Sequence, residues 1–376
     1  MKKHVSTIII GVIILAVSII TGRTFLKQRV PELIISGPGV TEQKLLSDWF
    51  PGLKGSRGDT EVYILRGDKP GGSMLVLGGT HANEPAGFFA ALLLIENAYV
   101  SRGTLYVIPR ANNSAFSHTD PQEGAPVSYS IQKPDGTSRE FRYGSRATNP
   151  IDQWPDPDVY IHASSGQRLS GNETRNLNRG YPGRPNGNFT EKICYGIYRL
   201  IRQEDITLTI DLHEASPEYP VINAIVAHDR AMFLASSVVL GLEMWDITIG
   251  LEPSPRNLRG LTHRELGDAT DTFAILMETA NPSQGRIRGR TGEDLVVTGR
   301  DPFYEKAQKL GRLFVPFGES GHLIEDRVGR HLTAIFEFAF SLEMEYPEKG
   351  MIIGGIPDYY SLLEHGIGAF LRNSSQ

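Results

Sequence analysis

Cysteine is almost absent from this sequence, which has only Cys194 among its 376 residues. A single thiol allows neither a disulfide framework nor a metal site with several thiolate ligands within one chain. Any metal site must therefore be built from histidine and carboxylate ligands. The redox compartment is left open.

Strong charge of one sign is missing as well. The net charge is -5, and no block of like charges stands out along the chain. Nucleic-acid-binding domains are typically basic, so this balance argues against nucleic acid as a partner. Hydrophobic residues make up 40% and charged residues 22% of the chain, which is the composition of a folded protein.

A predominantly apolar run lies at residues 5–21, with basic residues on both sides. Its length is near the lower limit for a membrane-spanning helix. No convincing small-x-small cleavage site follows it, which favours a retained anchor over a cleaved signal peptide. We therefore predict a signal or transmembrane anchor over residues 1–28. A short basic leader before an apolar run is typical of export signals, so we expect the rest of the protein in the cell envelope, outside the cytoplasmic membrane.

Strand and helix patterns alternate after this segment. An apolar strand pattern at 73–77 is followed by a proline-initiated helix pattern at 85–97, and further strand patterns follow. This alternation predicts an α/β fold with a mixed, mostly parallel sheet flanked by helices. The predicted divisions are a linker or lead-in at 29–59, an α/β domain at 60–345 with a long loop insertion at 112–189, and a C-terminal tail at 346–376.

The pentapeptide His-Ala-Asn-Glu-Pro at 81–85 is the first candidate site. A histidine followed three residues later by a carboxylate is weak evidence alone, because His322 and Glu325 repeat that spacing with nothing organised around them. His81 and Glu84 differ in their setting, between an apolar strand and a helix. That places them at the carboxyl end of a strand, where open α/β sheets bind ligands.

A second strand pattern, at 206–210, ends just before His213. Together with His81 and Glu84, this histidine would supply three ligands and leave a fourth position for water, as a catalytic zinc site requires. Glu278 follows a third strand pattern and is the candidate general base. Each of these residues, taken singly, also has an ordinary structural interpretation.

The long loop supplies the cations that amide hydrolysis needs. Negative charge builds on the carbonyl oxygen in the transition state, and an arginine fork also suits a substrate carboxylate. The candidates are Arg168, Arg175 and the pair Asn178-Arg179.

The ordered set resembles the zinc carboxypeptidase superfamily, including its succinylglutamate desuccinylase/aspartoacylase branch. The resemblance rests on His81-x-x-Glu84, Arg168, Asn178-Arg179, His213 and Glu278, in that order. It covers roughly residues 60–300 and implies a zinc carboxypeptidase-like fold. One departure is Asn176, because relatives more often have aspartate before Leu-Asn-Arg.

The same resemblance implies a role for each residue. The two histidines and the glutamate would bind one Zn2+ ion, while Asn178 and Arg179 would hold the substrate carboxylate. Arg168 would stabilise the oxyanion, with Arg175 as the alternative for that role. Glu278 would act as general base and acid.

The expected function is zinc-dependent hydrolysis of an amide bond next to a free carboxylate. The expected partners are a small peptide or N-acyl amino acid substrate and, through the N-terminal segment, the membrane. Carboxypeptidase-like peptide trimming at the cell envelope is the favoured version. An N-acyl amino acid deacylase is the alternative, and an esterase would use the same residues. A non-catalytic binding module of the same fold would need the arginines but no metal.

Overall fold

The computed structural model describes residues 2–120 and 124–373. Its first helix, α1 (Lys2–Lys27), contains the predicted apolar run. The stretch Val5–Lys27 has 23 residues and is exposed throughout. By length and composition it is able to cross a membrane or to serve as a signal sequence.

A nine-stranded mixed sheet forms the centre of the structure. The strands of the described residues are β1 (Glu42–Leu45), β2 (Glu61–Arg66), β3 (Lys69–Leu77), β4 (Tyr99–Ile108), β5 (Ser128–Gln132), β6 (Ser138–Arg142), β7 (Val159–Ile161), β8 (Arg168–Ser170), β9 (Leu208–Ala215), β10 (Ala224–Ala227), β11 (Gly250–Pro253), β12 (Phe273–Ala280) and β13 (Ile352–Gly354). The order across the main sheet is β1-β2-β4-β3-β9-β12-β10-β11, and β13 pairs with β4. The central strands β4, β3, β9 and β12 are parallel.

Helices cover both faces of this sheet. The helices after α1 are α2 (Pro85–Asn97), α3 (Phe189–Gln203), α4 (Met232–Glu243), α5 (Thr262–Ala269), α6 (Glu293–Thr298), α7 (Pro302–Lys309), α8 (Ile324–Glu345) and α9 (Tyr359–His365). The predicted α/β class, with a mixed sheet that is parallel at its centre and flanked by helices, is confirmed.

Alternate residues of β3 show how the two faces are filled. Met74 and Val76 pack into one apolar cluster with residues of α2, α4 and α8. Leu75 and Leu77 point to the opposite face and pack with residues of α3 and α5. This alternation is the two-residue period of a strand, and burial on both faces explains why β3 lacks polar residues in its second half.

Segments outside the predicted α/β domain also join the sheet. β1 lies in the predicted linker or lead-in and pairs with β2, whereas β13 lies in the predicted tail and pairs with β4. The predicted loop insertion contains two separate two-stranded sheets, β5–β6 and β7–β8. The domain boundaries themselves stay a prediction.

Candidate active site

The candidate metal ligands lie at one edge of the sheet. β3 ends at Leu77, and the chain turns through Gly79 before it reaches His81 and Glu84. Gly79 has a φ of 62°, a left-handed conformation that glycine adopts without strain. His213 lies near the carboxyl end of β9, the parallel neighbour of β3. Parallel strands bring their carboxyl ends to the same edge, so the two segments meet there.

Glu84 lies between the two histidines. Its Oε1 atom is 2.8 Å from Nδ1 of His81, and its Oε2 atom is 3.0 Å from Nδ1 of His213. The imidazole rings are 4.7 Å apart and nearly perpendicular. All three residues are buried, and one potential ligand atom from each lies within 4.8 Å of the other two. The structure thus brings together the three residues predicted to bind zinc.

The outer nitrogen of each ring also has a partner. Nε2 of His81 is 2.9 Å from Oδ1 of Asn176, and Nε2 of His213 is 2.8 Å from Oδ2 of Asp211. The Asn176 amide is held in this orientation because its Nδ2 donates to Glu173. Partners of this kind fix the orientation of metal-binding histidines.

Both histidines therefore face acceptor oxygens at both ring nitrogens. A neutral imidazole carries only one N–H, so a ring in its neutral, metal-binding form leaves one of these contacts without a proton. If the outer Nε2 atoms carry the protons, both Nδ1 lone pairs point towards the Glu84 carboxylate. A cation shared by these three groups satisfies all of them, and two histidines with a glutamate are a known zinc ligand set. The residues present fit a zinc ion.

The charges of the site also favour a cation. Burial and the Arg146 guanidinium lower the pKa of His81 to about 4, so its ring is neutral at pH 7, the form that binds metal. Burial acts in the same direction on His213, but Asp211 and Glu84 outweigh it and raise the pKa of this residue. The raised pKa means that His213 holds an added proton between these two carboxylates, and a bound cation would take the place of the proton on the Glu84 side.

Glu278 is placed beside this cluster by β12. It is the register partner of His213 across the parallel pair of β9 and β12. Its Oε2 atom is buried and has no hydrogen-bond partner among the described residues. Burial raises the pKa of Glu278 well above its ordinary value; Glu84 acts in the same direction, and His213 and Arg146 oppose the shift. At a pKa of about 8 the group is mostly protonated at pH 7, and a cation bound by the neighbouring candidate ligands would lower this pKa and favour the carboxylate that a general base requires.

Arg146 is a site residue that the sequence did not reveal. Its Nη1 atom lies 3.1 Å from Oε1 of Glu84, and its side chain is 46% exposed. It follows β6 by four residues, within the long loop, where neither strand nor helix periodicity marks any position. Its contact with Glu84 is a tertiary one that joins positions 62 residues apart in the chain.

The predicted carboxylate clamp is built around a short turn. Oδ1 of Asn178 accepts hydrogen bonds from the N–H and hydroxyl of Thr262. The backbone N–H of Asn178 donates to Oδ1 of Asn176. Arg179 donates to the carbonyl of Asn178 and lies 3.8 Å from Glu173. Asn176 therefore connects the predicted clamp to His81, a candidate metal ligand.

Two predicted arginines lie elsewhere. Arg168 is an exposed residue of β8, paired with Ile161, and among the described residues it has no hydrogen bond to the cluster. Arg175 forms a two-point ion pair with Asp156, at 2.7 and 2.8 Å, and donates to the carbonyl of Thr148. Its guanidinium is therefore already occupied by the protein.

Comparison with solved structures found several to which this chain is similar. The chain is similar to a succinylglutamate desuccinylase from Silicibacter sp. TM1040, at 17% identity and a TM-score of 0.38, over 60% of this chain and 55% of that one. It is similar to the apo cell shape determinant protein Csd4 from Helicobacter pylori, at 13% identity and a TM-score of 0.42, over 79% and 56%. It is also similar to bovine thrombin-activatable fibrinolysis inhibitor in complex with tick carboxypeptidase inhibitor, at 13% and 0.42, over 76% and 86%.

This chain spans little more than half the length of the first two of these structures. No family model matches the sequence, and the comparison with curated proteins gave no match. Function is carried by the side chains of the site.

Proposed function

We propose that this protein is a zinc-dependent hydrolase that cleaves an amide bond next to a free carboxylate. The observation that carries the proposal is the acceptor environment of both histidines around Glu84. A cation shared by the two Nδ1 atoms and the carboxylate gives each of these contacts a favourable partner. A module that merely bound an anion through its arginines has no need of such a site.

Zinc held by His81, Glu84 and His213 would supply Lewis acidity, polarising a carbonyl and lowering the pKa of water to about 7. Glu278 takes a proton from the attacking water and passes it to the leaving amine. Its unpartnered Oε2 atom supports this role, because no described group of the protein competes for it.

Arg146 and Arg179 stabilise the two negative charges of the reacting substrate. Arg146 lies against the cluster and is half exposed, so its guanidinium is able to reach a carbonyl oxygen that becomes negative. We assign it the oxyanion role that the resemblance implies for Arg168. Asn178 and Arg179 hold the free carboxylate of the substrate, next to the bond that is cleaved.

Carboxypeptidase-like cleavage of a small peptide is the favoured reaction. Deacylation of an N-acyl amino acid is the alternative, because both substrates place a carboxylate beside the amide. The exposed apolar helix α1 supports membrane attachment, and we place the catalytic domain in the cell envelope, outside the cytoplasmic membrane.

A substrate panel tests the reaction. The zinc-loaded protein is assayed against peptides with a free C-terminus, the same peptides with an amidated C-terminus, and N-acyl amino acids. Release of the C-terminal residue from the free peptides alone supports the carboxypeptidase, and turnover of N-acyl amino acids alone supports the deacylase. Glu278→Gln should retain zinc and lose activity by about 100- to 10,000-fold. Equal turnover of free and amidated peptides would contradict recognition of the carboxylate.

A further inference from the structure

The apolar helix α1 is joined directly to the folded domain. Lys27, its last residue, forms a 2.7 Å ion pair with Glu140 of β6. The next residue, Gln28, is 2% exposed, and its carbonyl accepts a hydrogen bond from Arg142. The chain therefore enters the domain at the point where the helix ends.

The following residues are also fixed to the domain. The side chain of Glu32 is buried and forms ion pairs with Arg110 and Arg142, at 2.9 and 2.7 Å. Further along, the carbonyl of Leu33 accepts from Arg139, and the N–H of Gly37 donates to Ile95. Buried ion pairs and backbone hydrogen bonds of this kind hold a segment in one position, so residues 28–37 are no flexible tether.

Exposed apolar side chains continue from α1 into this fixed segment, where Leu33 borders a cleft that is also lined by the charged residues Arg139 and Glu140. Phe25 and Leu26 are exposed at the end of the helix, and beyond it Val30 is 64% and Leu33 is 61% exposed. Large apolar side chains that project from an otherwise anchored segment contribute nothing to the core. They extend the surface that α1 already presents, so one apolar environment would cover both.

We propose that the face of the domain around Val30 and Leu33 lies directly on a lipid bilayer, continuous with the insertion of α1. The occupant of this face is the membrane, because the patch is continuous with a helix long enough to cross one. The inference rests on the membrane attachment proposed above and is independent of the hydrolysis.

This arrangement limits how far the candidate site lies from the membrane surface. β6 carries Glu140 and Arg142, which contact the end of α1, and the chain reaches Arg146 four residues later. Four residues span at most about 14 Å. Arg146, to which the oxyanion role is assigned, therefore lies on a segment that starts at the membrane contact. Substrates would bind close to the bilayer surface.

Site-specific fluorescence in nanodiscs tests the proposal. An environment-sensitive probe is attached to Val30→Cys or Leu33→Cys in the full chain, in discs of phosphatidylethanolamine and phosphatidylglycerol. Met244→Cys is the matched control, because Met244 is 86% exposed on the surface next to α4. Cys194 is buried, so it does not compete for the label.

We expect nitroxide-labelled lipids to quench the probes at residues 30 and 33, and iodide in the water to quench the probe at 244. Equal iodide quenching at all three positions in discs that contain the protein would overturn the inference and leave membrane attachment intact. Shielding that appears only with two proteins per disc would assign the patch to a second copy and also overturn it. Failure of the full chain to enter discs would contradict membrane attachment itself, whereas hydrolysis is measured separately.

Discussion

Oε2 of Glu84 lies 3.0 Å from Nδ1 of His213, although 129 positions separate the two residues in the chain. The contact joins the start of α2 to β9 and forms part of the candidate metal site. Both side chains are buried, so a carboxylate or imidazole without a partner here would carry a large desolvation cost. A cation bound by both groups would offset that cost.

Asn176 should act as a positioning residue for the metal site. It accepts from His81 and connects that ring to the Asn178 turn, so Asn176→Ala should lower zinc affinity by about 10- to 100-fold. The measurement is zinc competition with a chelator. Asn176→Asp keeps the acceptor and should retain affinity. Asn113→Ala is the control, because it removes a hydrogen bond to the carbonyl of Arg57, away from the candidate ligands. Unchanged affinity in Asn176→Ala would refute this role.

Arg146 and Arg168 should respond differently to removal. Arg146→Ala should reduce kcat by about 100- to 1,000-fold, because one donor to the developing oxyanion is lost. Arg168→Ala should leave kcat unchanged, since Arg168 is exposed in β8. Steady-state kinetics on zinc-loaded variants measures both. The opposite ranking would return the oxyanion role to Arg168.

Arg179 should control recognition of the substrate carboxylate. Arg179→Ala should lower kcat/KM by about 10- to 100-fold for a substrate with a free carboxylate, as expected for loss of charge-assisted hydrogen bonds. The ratio of kcat/KM between the free and amidated forms of one peptide reports this preference. That ratio should fall towards one in the variant, and an unaltered ratio would place the clamp elsewhere.

Glu32 should make the docking of the lead-in sensitive to acid. Burial acts to raise the pKa of Glu32, but Arg142 and Arg110 outweigh it and hold the pKa below its ordinary value of 4.5. A depressed folded-state pKa means that the stabilisation is fully present above the unfolded-state pKa and is lost as pH falls through the folded-state pKa. The free energy of unfolding should therefore decline below about pH 4.5.

Glu32→Gln should remove this part of the acid dependence. It should also lower the free energy of unfolding at neutral pH by about 3–5 kcal/mol, since the buried Arg142 loses its carboxylate partner and Arg110 keeps only Glu61. Urea titration of the full chain in detergent at several pH values measures this. Glu61→Gln is the control, because Glu61 pairs with Arg110 at a more exposed position and should cost about 0–1 kcal/mol. If the free energy of unfolding fell by the same amount with pH in wild type and in Glu32→Gln, the acid sensitivity would not be due to Glu32.

The sequence predicted the residues whose positions follow from strand and helix periodicity. His81, Glu84, His213 and Glu278 each come at or near the end of a central strand, and parallel strands share an edge. Their convergence therefore needs only the order of elements and the direction of the strands. The assignment of roles to them stays a prediction.

Arg146 and the docked lead-in depend on tertiary contacts that no local pattern reports. Arg146 reaches Glu84 only because the β5–β6 hairpin packs beside α2, and nothing in its own segment shows that. Likewise, Glu32 is buried because Arg110 and Arg142, distant in sequence, surround it. A charged residue among prolines is ordinarily typical of an exposed linker.

The zinc content of purified protein tests the central claim most directly, by comparing wild type, His81→Ala and His322→Ala. His322 has the same spacing to a glutamate as His81 but lies outside the cluster, packed against Phe317. We predict about one zinc ion per chain in wild type and His322→Ala, and far less in His81→Ala. Equal zinc in wild type and His81→Ala would contradict the site.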